Sequence, residues 1–163
     1  MPVAYHMILG SWGGMKKYLE KDMLCASLKG RVQYDCTEFD GSSSTRRFEV
    51  RVDGRVYARF YFLGLCKYAP DHNPFPLIDA GPHDRDVFCD TEFAAALKEY
   101  RSLPVQETLA HENPIVRMFA VVDRRVGQRT LSRLASTLPE QPLWLQPFYR
   151  LRLEAVKRPC AGA

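Results

Sequence analysis

The stretch Arg47-Phe48-Glu49-Val50-Arg51-Val52-Asp53-Gly54-Arg55-Val56-Tyr57-Ala58-Arg59-Phe60 decides the fold. Phe48, Val50 and Val52 alternate with Arg47, Glu49 and Arg51, the period of a strand with one buried face. After Asp53-Gly54 the alternation resumes through Val56, Ala58, Phe60 and Phe62. An Asp-Gly pair between two alternating runs predicts a tight hairpin, because both central residues must take positive φ. Upstream, Val32, Tyr34 and Cys36 alternate with Arg31, Gln33 and Asp35, and Asp40-Gly41-Ser42-Ser43-Ser44 predicts the intervening turn. Three antiparallel strands are therefore expected.

A helix is expected before them. Ser11 precedes Trp12, Met15, Leu19 and Met23 at helical spacing, with Lys16, Lys17, Glu20 and Lys21 on the other side and Gly30 as the stop. After the strands, residues 63–90 carry prolines and glycines without a period and read as one long irregular loop. Asp90-Thr91 then caps a helix bearing Phe93, Ala94, Leu97 and Tyr100, and a short helix follows Pro104. Asn113-Pro114 opens another, whose stripe Ile115, Met118, Phe119, Val122 and Val126 runs to Gly127. Leu131, Leu134, Ala135 and Leu138 define the next helix, and Gln146-Pro147 starts the last, with Phe148, Leu151 and Ala155 inward. Short links predict antiparallel neighbours. The fold class is α+β: an N-terminal helix on a three-stranded antiparallel sheet, with a C-terminal bundle of antiparallel helices. Residues 1–163 form a single domain, in which 12–62 are helix plus meander, 63–90 loop and 91–157 helical.

Apolar residues make up 46% and charged residues 26% of the 163, the balance of a soluble domain with its own core. No run approaches the roughly 18 apolar residues of a membrane span, and a secretory signal is not expected. Five scattered cysteines without a C-x-x-C pair signal neither a disulfide framework nor a zinc site. A cytoplasmic location fits. Net charge is +4, distributed as +3 over residues 1–62, −5 over 63–113 and +6 over 114–163.

The basic end holds the candidate surface. Arg117 and Arg124 lie opposite the apolar stripe, and Arg129 and Arg133, four apart, face away from the leucines. Four outward guanidinium groups are suited to phosphate or carboxylate. Asp123, Arg125 and Gly127 read as a structural junction between two helices. His72, His83, Asp84 and Asp86 are the remaining cluster able to hold a divalent ion, although solvated loop charge is the favoured account of them. Cys36 and Cys89 lack a local activating partner. No nucleotide-binding or zinc-protease motif occurs, so no cofactor is expected. The order helix, three strands, helix is also that of a double-stranded RNA-binding domain, but Asp90-Thr91-Glu92 would turn an acidic helix start toward phosphate.

Several segments carry a resemblance. Leu24, Ser27-Leu28-Lys29-Gly30-Arg31-Val32 and Tyr34, then Asp123-Arg124-Arg125-Val126-Gly127 with Arg129 and Leu131, and Tyr149-Arg150-Leu151-Arg152, resemble a family of small bacterial proteins without an assigned activity. That family shows a tryptophan-bearing first helix and an Asp-Arg-Arg-Val-Gly-Lys-Arg segment, where this chain has Gln128 for the lysine. The resemblance lies at both ends of the chain and brings no catalytic residue or cofactor with it. The expected function is a non-enzymatic binding protein acting through protein contacts. The alternatives are a nucleic-acid-binding protein using Arg117, Arg124, Arg129 and Arg133, and a metal-dependent hydrolase using His72, His83, Asp84 and Asp86. No membrane partner is expected.

Overall fold

The Asp53-Gly54 pair closes the hairpin with φ of 49° and 82°, both positive. It joins β2 (Arg46–Val52) to β3 (Arg55–Tyr61). The computed structural model describes residues 11–38, 46–62 and 86–157. The Asp40 to Ser44 turn lies outside them, but its flanks pair as expected: β1 (Val32–Glu38) runs antiparallel to β2, with Val32 opposite Val52 and Cys36 opposite Phe48.

The sheet has four strands in the order β1-β2-β3-β4, not three. Phe88 and Cys89, assigned by sequence to the loop, form β4 and pair with Phe60 and Tyr61 in parallel, so the sheet is mixed. Two residues are too few for a periodic signal, and a parallel partner this distant in sequence leaves no turn signature.

A bulge corrects the face of β3. Val50 sits opposite Ala58 and Arg51 opposite Val56, which leaves Tyr57 as the extra residue. Val56, expected inside, is therefore 36% exposed. Tyr57 instead meets the Phe148 ring edge-on at 5.4 Å.

The N-terminal helix is shorter than its periodicity. Ser11 caps it, its Oγ accepting the Gly14 N–H at 3.2 Å. Helix α1 (Trp12–Lys17) runs into a π turn (Tyr18–Asp22) and stops at Met23 rather than at Gly30. Leu24 leaves the helix to form an antiparallel bridge with Asp123, and a 3-10 turn (Ala26–Leu28) follows. The polar side of α1 is not simply solvated. Glu20 Oε1 accepts the Tyr34 backbone N–H at 2.7 Å, and Lys16 Nζ donates to the Tyr34 carbonyl at 2.9 Å. These side chains cover the outer edge of β1 where a neighbouring strand would bond.

Helix α2 (Asp90–Ser102) packs on β2, β3 and β4. Its cap is one residue earlier than expected: the Cys89 N–H donates to Glu92 Oε2 at 2.8 Å. Phe93 from α2 is the hub of the core, 4.2 Å from the Phe48 ring, 4.9 Å from Phe60 and 5.3 Å from Phe119. Burying one such ring contributes about 1.5–3 kcal/mol. The short helix α3 (Val105–Leu109) follows Pro104 as expected.

Helix α4 (Pro114–Val121) begins with the expected cap, Asn113 Oδ1 accepting the Ile115 N–H at 3.0 Å. All eight of its residues are buried, so it is a core helix and not an amphipathic one. It ends before Val122, well short of Gly127. Helix α5 (Gln128–Thr137) passes into a 3-10 turn (Leu138–Glu140), and α6 (Gln146–Lys157) closes the described chain. Leu131 and Leu134 are buried on α5, but Ala135 is exposed. α6 packs against both α4 and α5.

Candidate interaction surface

The segment between α4 and α5 is built around one buried carboxylate. Asp123 is 1% exposed. Its Oδ1 accepts the Arg125 backbone N–H at 2.7 Å, its Oδ2 accepts the Arg125 NH2 at 2.7 Å, and the Tyr100 hydroxyl donates a short hydrogen bond to Oδ2. Arg125 spreads over the Tyr100 ring, 5.9 Å from its centroid. The hydrogen bonds to Asp123 raise the pKa of Arg125, and burial, reinforced by Asp123, pushes the Tyr100 phenol up. On the backbone, the Cys25 N–H donates to the Val122 carbonyl at 3.0 Å and the Arg124 N–H to the Met23 carbonyl at 2.8 Å. These bonds explain why α4 stops early: the chain leaves the helix to pair with residues 23–25. The tertiary pairing overrides the periodicity.

Of the four arginines expected to point outward, Arg117 does not. It is 7% exposed, with Nε donating to Gln141 Oε1 at 3.0 Å and NH1 donating to the His111 and Glu112 carbonyls at 2.5 and 3.1 Å. Burial lowers its pKa. Arg117 clamps the turn before α4 to the turn after α5, and the helical-wheel reading failed because these turns take up its guanidinium. Arg152, read only as part of the terminal signature, is also internal, donating to the Val126 carbonyl at 3.3 Å.

Arg124, Arg129 and Arg133 are exposed, and among the described residues none makes an ion pair or hydrogen bond through its side chain. The arginines around them differ. Arg31 pairs with Asp53, Arg125 with Asp123, and Arg150 donates to Gln146 at 2.9 Å. Helix α5 has no acidic residue, and Gln128, Ser132 and Ser136 complete its polar face.

Gly127 is not a helix stop. It is the N-cap of α5 with φ −84°, and a Cβ there would meet nothing within 4 Å. Nothing in the structure requires glycine at this position.

A second polar cluster went unread in the sequence. Glu49, on the outer face of the sheet, is 4% exposed because three arginines cover it, Arg51 at 2.6 Å, Arg59 at 2.9 Å and Arg47 at 3.4 Å. Burial opposes its charge, but the bonds from Arg59 and Arg51 win and hold its carboxyl below the ordinary range. The signal was present, since all four residues fall on outward positions of two paired strands.

His72, His83 and Asp84 lie outside the described residues. Asp86 is described and exposed. Among the described residues no group of three or more metal-ligating side chains converges. Cys89 is buried, and burial pushes its thiol up.

The SF0329 protein family profile matches residues 11–71 and 69–153, which between them take in every described element from α1 into α6. The chain belongs to the SF0329 protein family. No curated protein and no solved structure matches it. Within this SF0329 chain, the Asp-Arg-Arg-Val-Gly segment divides by geometry: Asp123, Arg125 and Val126 are held inside the fold's bonding, and Arg124 is presented to solvent. No described helix is long and apolar enough to cross a membrane.

Proposed function

We propose that this SF0329 protein is a non-catalytic cytosolic binding protein whose arginine face, formed by Arg124, Arg129 and Arg133, engages an acidic surface of a partner protein. One observation carries the reading: among the described residues these three guanidinium groups make no ion pair or hydrogen bond, whereas Arg31, Arg125 and Arg150 each make one. Arg129 and Arg133 are one helical turn apart, so their charges repel unless an outside anion sits between them. Planar guanidinium groups suit carboxylates in two-point contact.

Two buried carboxylates support a non-catalytic reading, since Asp123 and Glu49 already have their bonding capacity taken by protein donors. A protein partner is favoured over nucleic acid on magnitude. Duplex DNA carries a charge about every 1.7 Å, and the electrostatic part of its binding scales with the number of phosphates neutralised, roughly six to ten in strongly salt-dependent binders. Three arginines in a chain of net charge +4 fall short of that.

The test is a fluorescence-anisotropy titration at low salt with three labelled probes: a capped octaglutamate peptide, a 20-mer single strand and a 20-base-pair duplex. Saturable binding of the peptide, at least as tight as either nucleic acid, is expected. Tighter duplex binding would transfer the face to nucleic acid, and no binding of any probe would remove the proposal.

A further inference from the structure

We infer that the free edge of β3 is a binding site for an extended peptide segment of another protein. The two edges of the sheet are treated differently. At β1 the edge is covered, Glu20 and Lys16 bonding the backbone of Tyr34. At β3, β4 pairs only with Phe60 and Tyr61, so among the described residues Arg55 to Arg59 has a strand neighbour on the β2 side alone. Among the described residues, the backbone of residues 56–59 makes no hydrogen bond beyond those of the sheet, and the Arg59 side chain donates to Glu49 on the outer face.

A groove follows this edge. It holds about 430 Å³ and is lined by consecutive residues 56–59 of β3, with Tyr61, Asp86, Phe88 and Trp144. Side chains of a strand alternate between its faces, so a cavity touching four consecutive residues runs along the backbone edge and not over one face. In the parallel register, Asp86 would fall opposite Ala58, but pairing stops at Phe88. The β3 edge from Phe60 back toward Arg55 is where a further strand would lie.

The chemistry of the groove specifies an extended backbone. Unpaired edge amides and carbonyls present donors and acceptors at strand spacing, and four residues of edge span roughly 13 Å. Trp144 lines the groove, and its buried Nε1–H has no partner among the described residues. Its ring packs edge-on against Phe88 at 5.1 Å, making an aromatic wall for an alternate apolar side chain. Arg59 over Tyr61 and Asp86 set charges of both signs at the rim, which suits a mixed polar strand and disfavours a second copy of this basic edge. This site is distinct from the arginine face and does not depend on it.

The test uses the full chain and the capped peptide acetyl-Glu-Val-Thr-Val-Glu-Val-amide, with two counterparts N-methylated on its odd or its even residues. Strand addition uses one edge of the peptide only. One counterpart should therefore bind at least about tenfold more weakly and the other within about twofold of the parent. Backbone amide shifts should concentrate at residues 56–59. Trp144→Phe, which keeps a ring and removes the donor, should weaken binding about threefold or more. The inference is overturned if no saturable shift occurs at millimolar peptide, if both methylated peptides bind like the parent, or if the amides of residues 56–59 in the free chain exchange as slowly as those of β2.

Discussion

Asp123 and Leu24, ninety-nine positions apart, form an antiparallel bridge that ties the end of the N-terminal helical segment to the turn after α4. Its backbone bonds are flanked by the Asp123 carboxylate, which Arg125 and Tyr100 neutralise and orient. The junction is thus a tertiary lock as well as a link between two helices.

Removing the carboxylate should cost more than the two-residue ion pair suggests. Asp123→Ala leaves the Tyr100 hydroxyl and the Arg125 guanidinium without their shared acceptor and is expected to destabilise the fold by about 3–5 kcal/mol. Urea unfolding measures this. A loss under 1 kcal/mol would show that the lock is ornamental.

Arg117 and Arg129 should behave in opposite ways. Arg117→Ala removes a buried guanidinium that bonds Gln141 and the carbonyls of His111 and Glu112, and is expected to cost about 2–4 kcal/mol, whereas Arg129→Ala should stay within about 0.5 kcal/mol. Thermal melts of the two variants under the same conditions provide the comparison. Equal losses would contradict the division between internal and presented arginines.

The glycines give a local control. Gly54→Ala forces a side chain to φ 82° and should destabilise the hairpin by about 1 kcal/mol. At Gly127, loss of a tolerated cap and gain in unfolded-state stiffness oppose each other, so Gly127→Ala should change stability by under about 0.5 kcal/mol.

Stability should fall toward acid through Glu49. Its folded pKa is lowered from the ordinary 4.5, so its contribution is present above that value and is lost as pH falls through the folded one. Asp53, held down by Arg31, acts in the same sense. Tyr34, Tyr100 and Tyr149 are raised by burial, so stability is also lost as pH climbs above their ordinary 10.0. Urea midpoints between pH 2 and 7 should fall less steeply for Glu49→Gln than for the parent chain; parallel curves would contradict this assignment.

The local parts of the fold were legible because their causes are local. Asp53-Gly54, Ser11 and Asn113-Pro114 state their conformations within four residues. What escaped was set by partners far along the chain. β4 exists because Phe88 and Cys89 meet β3, α1 stops because Leu24 meets Asp123, and α4 stops at the other side of that bridge. The bulge at Tyr57 turned Val56 outward although its alternation pointed in. The candidate surface was partly legible for the same reason. Arg124, Arg129 and Arg133 stay in solvent as the helical spacing implied, while Arg117 was claimed by carbonyls of the neighbouring turns that no wheel includes.

The arginine face is tested most directly by the salt dependence of octaglutamate binding in the parent chain and in the triple variant Arg124→Ser, Arg129→Ser, Arg133→Ser. The parent should lose affinity steadily as salt rises, and the triple variant, with unchanged melting behaviour, should bind at least about tenfold more weakly with a shallower slope. Parent and variant with the same affinity and slope would contradict the central claim.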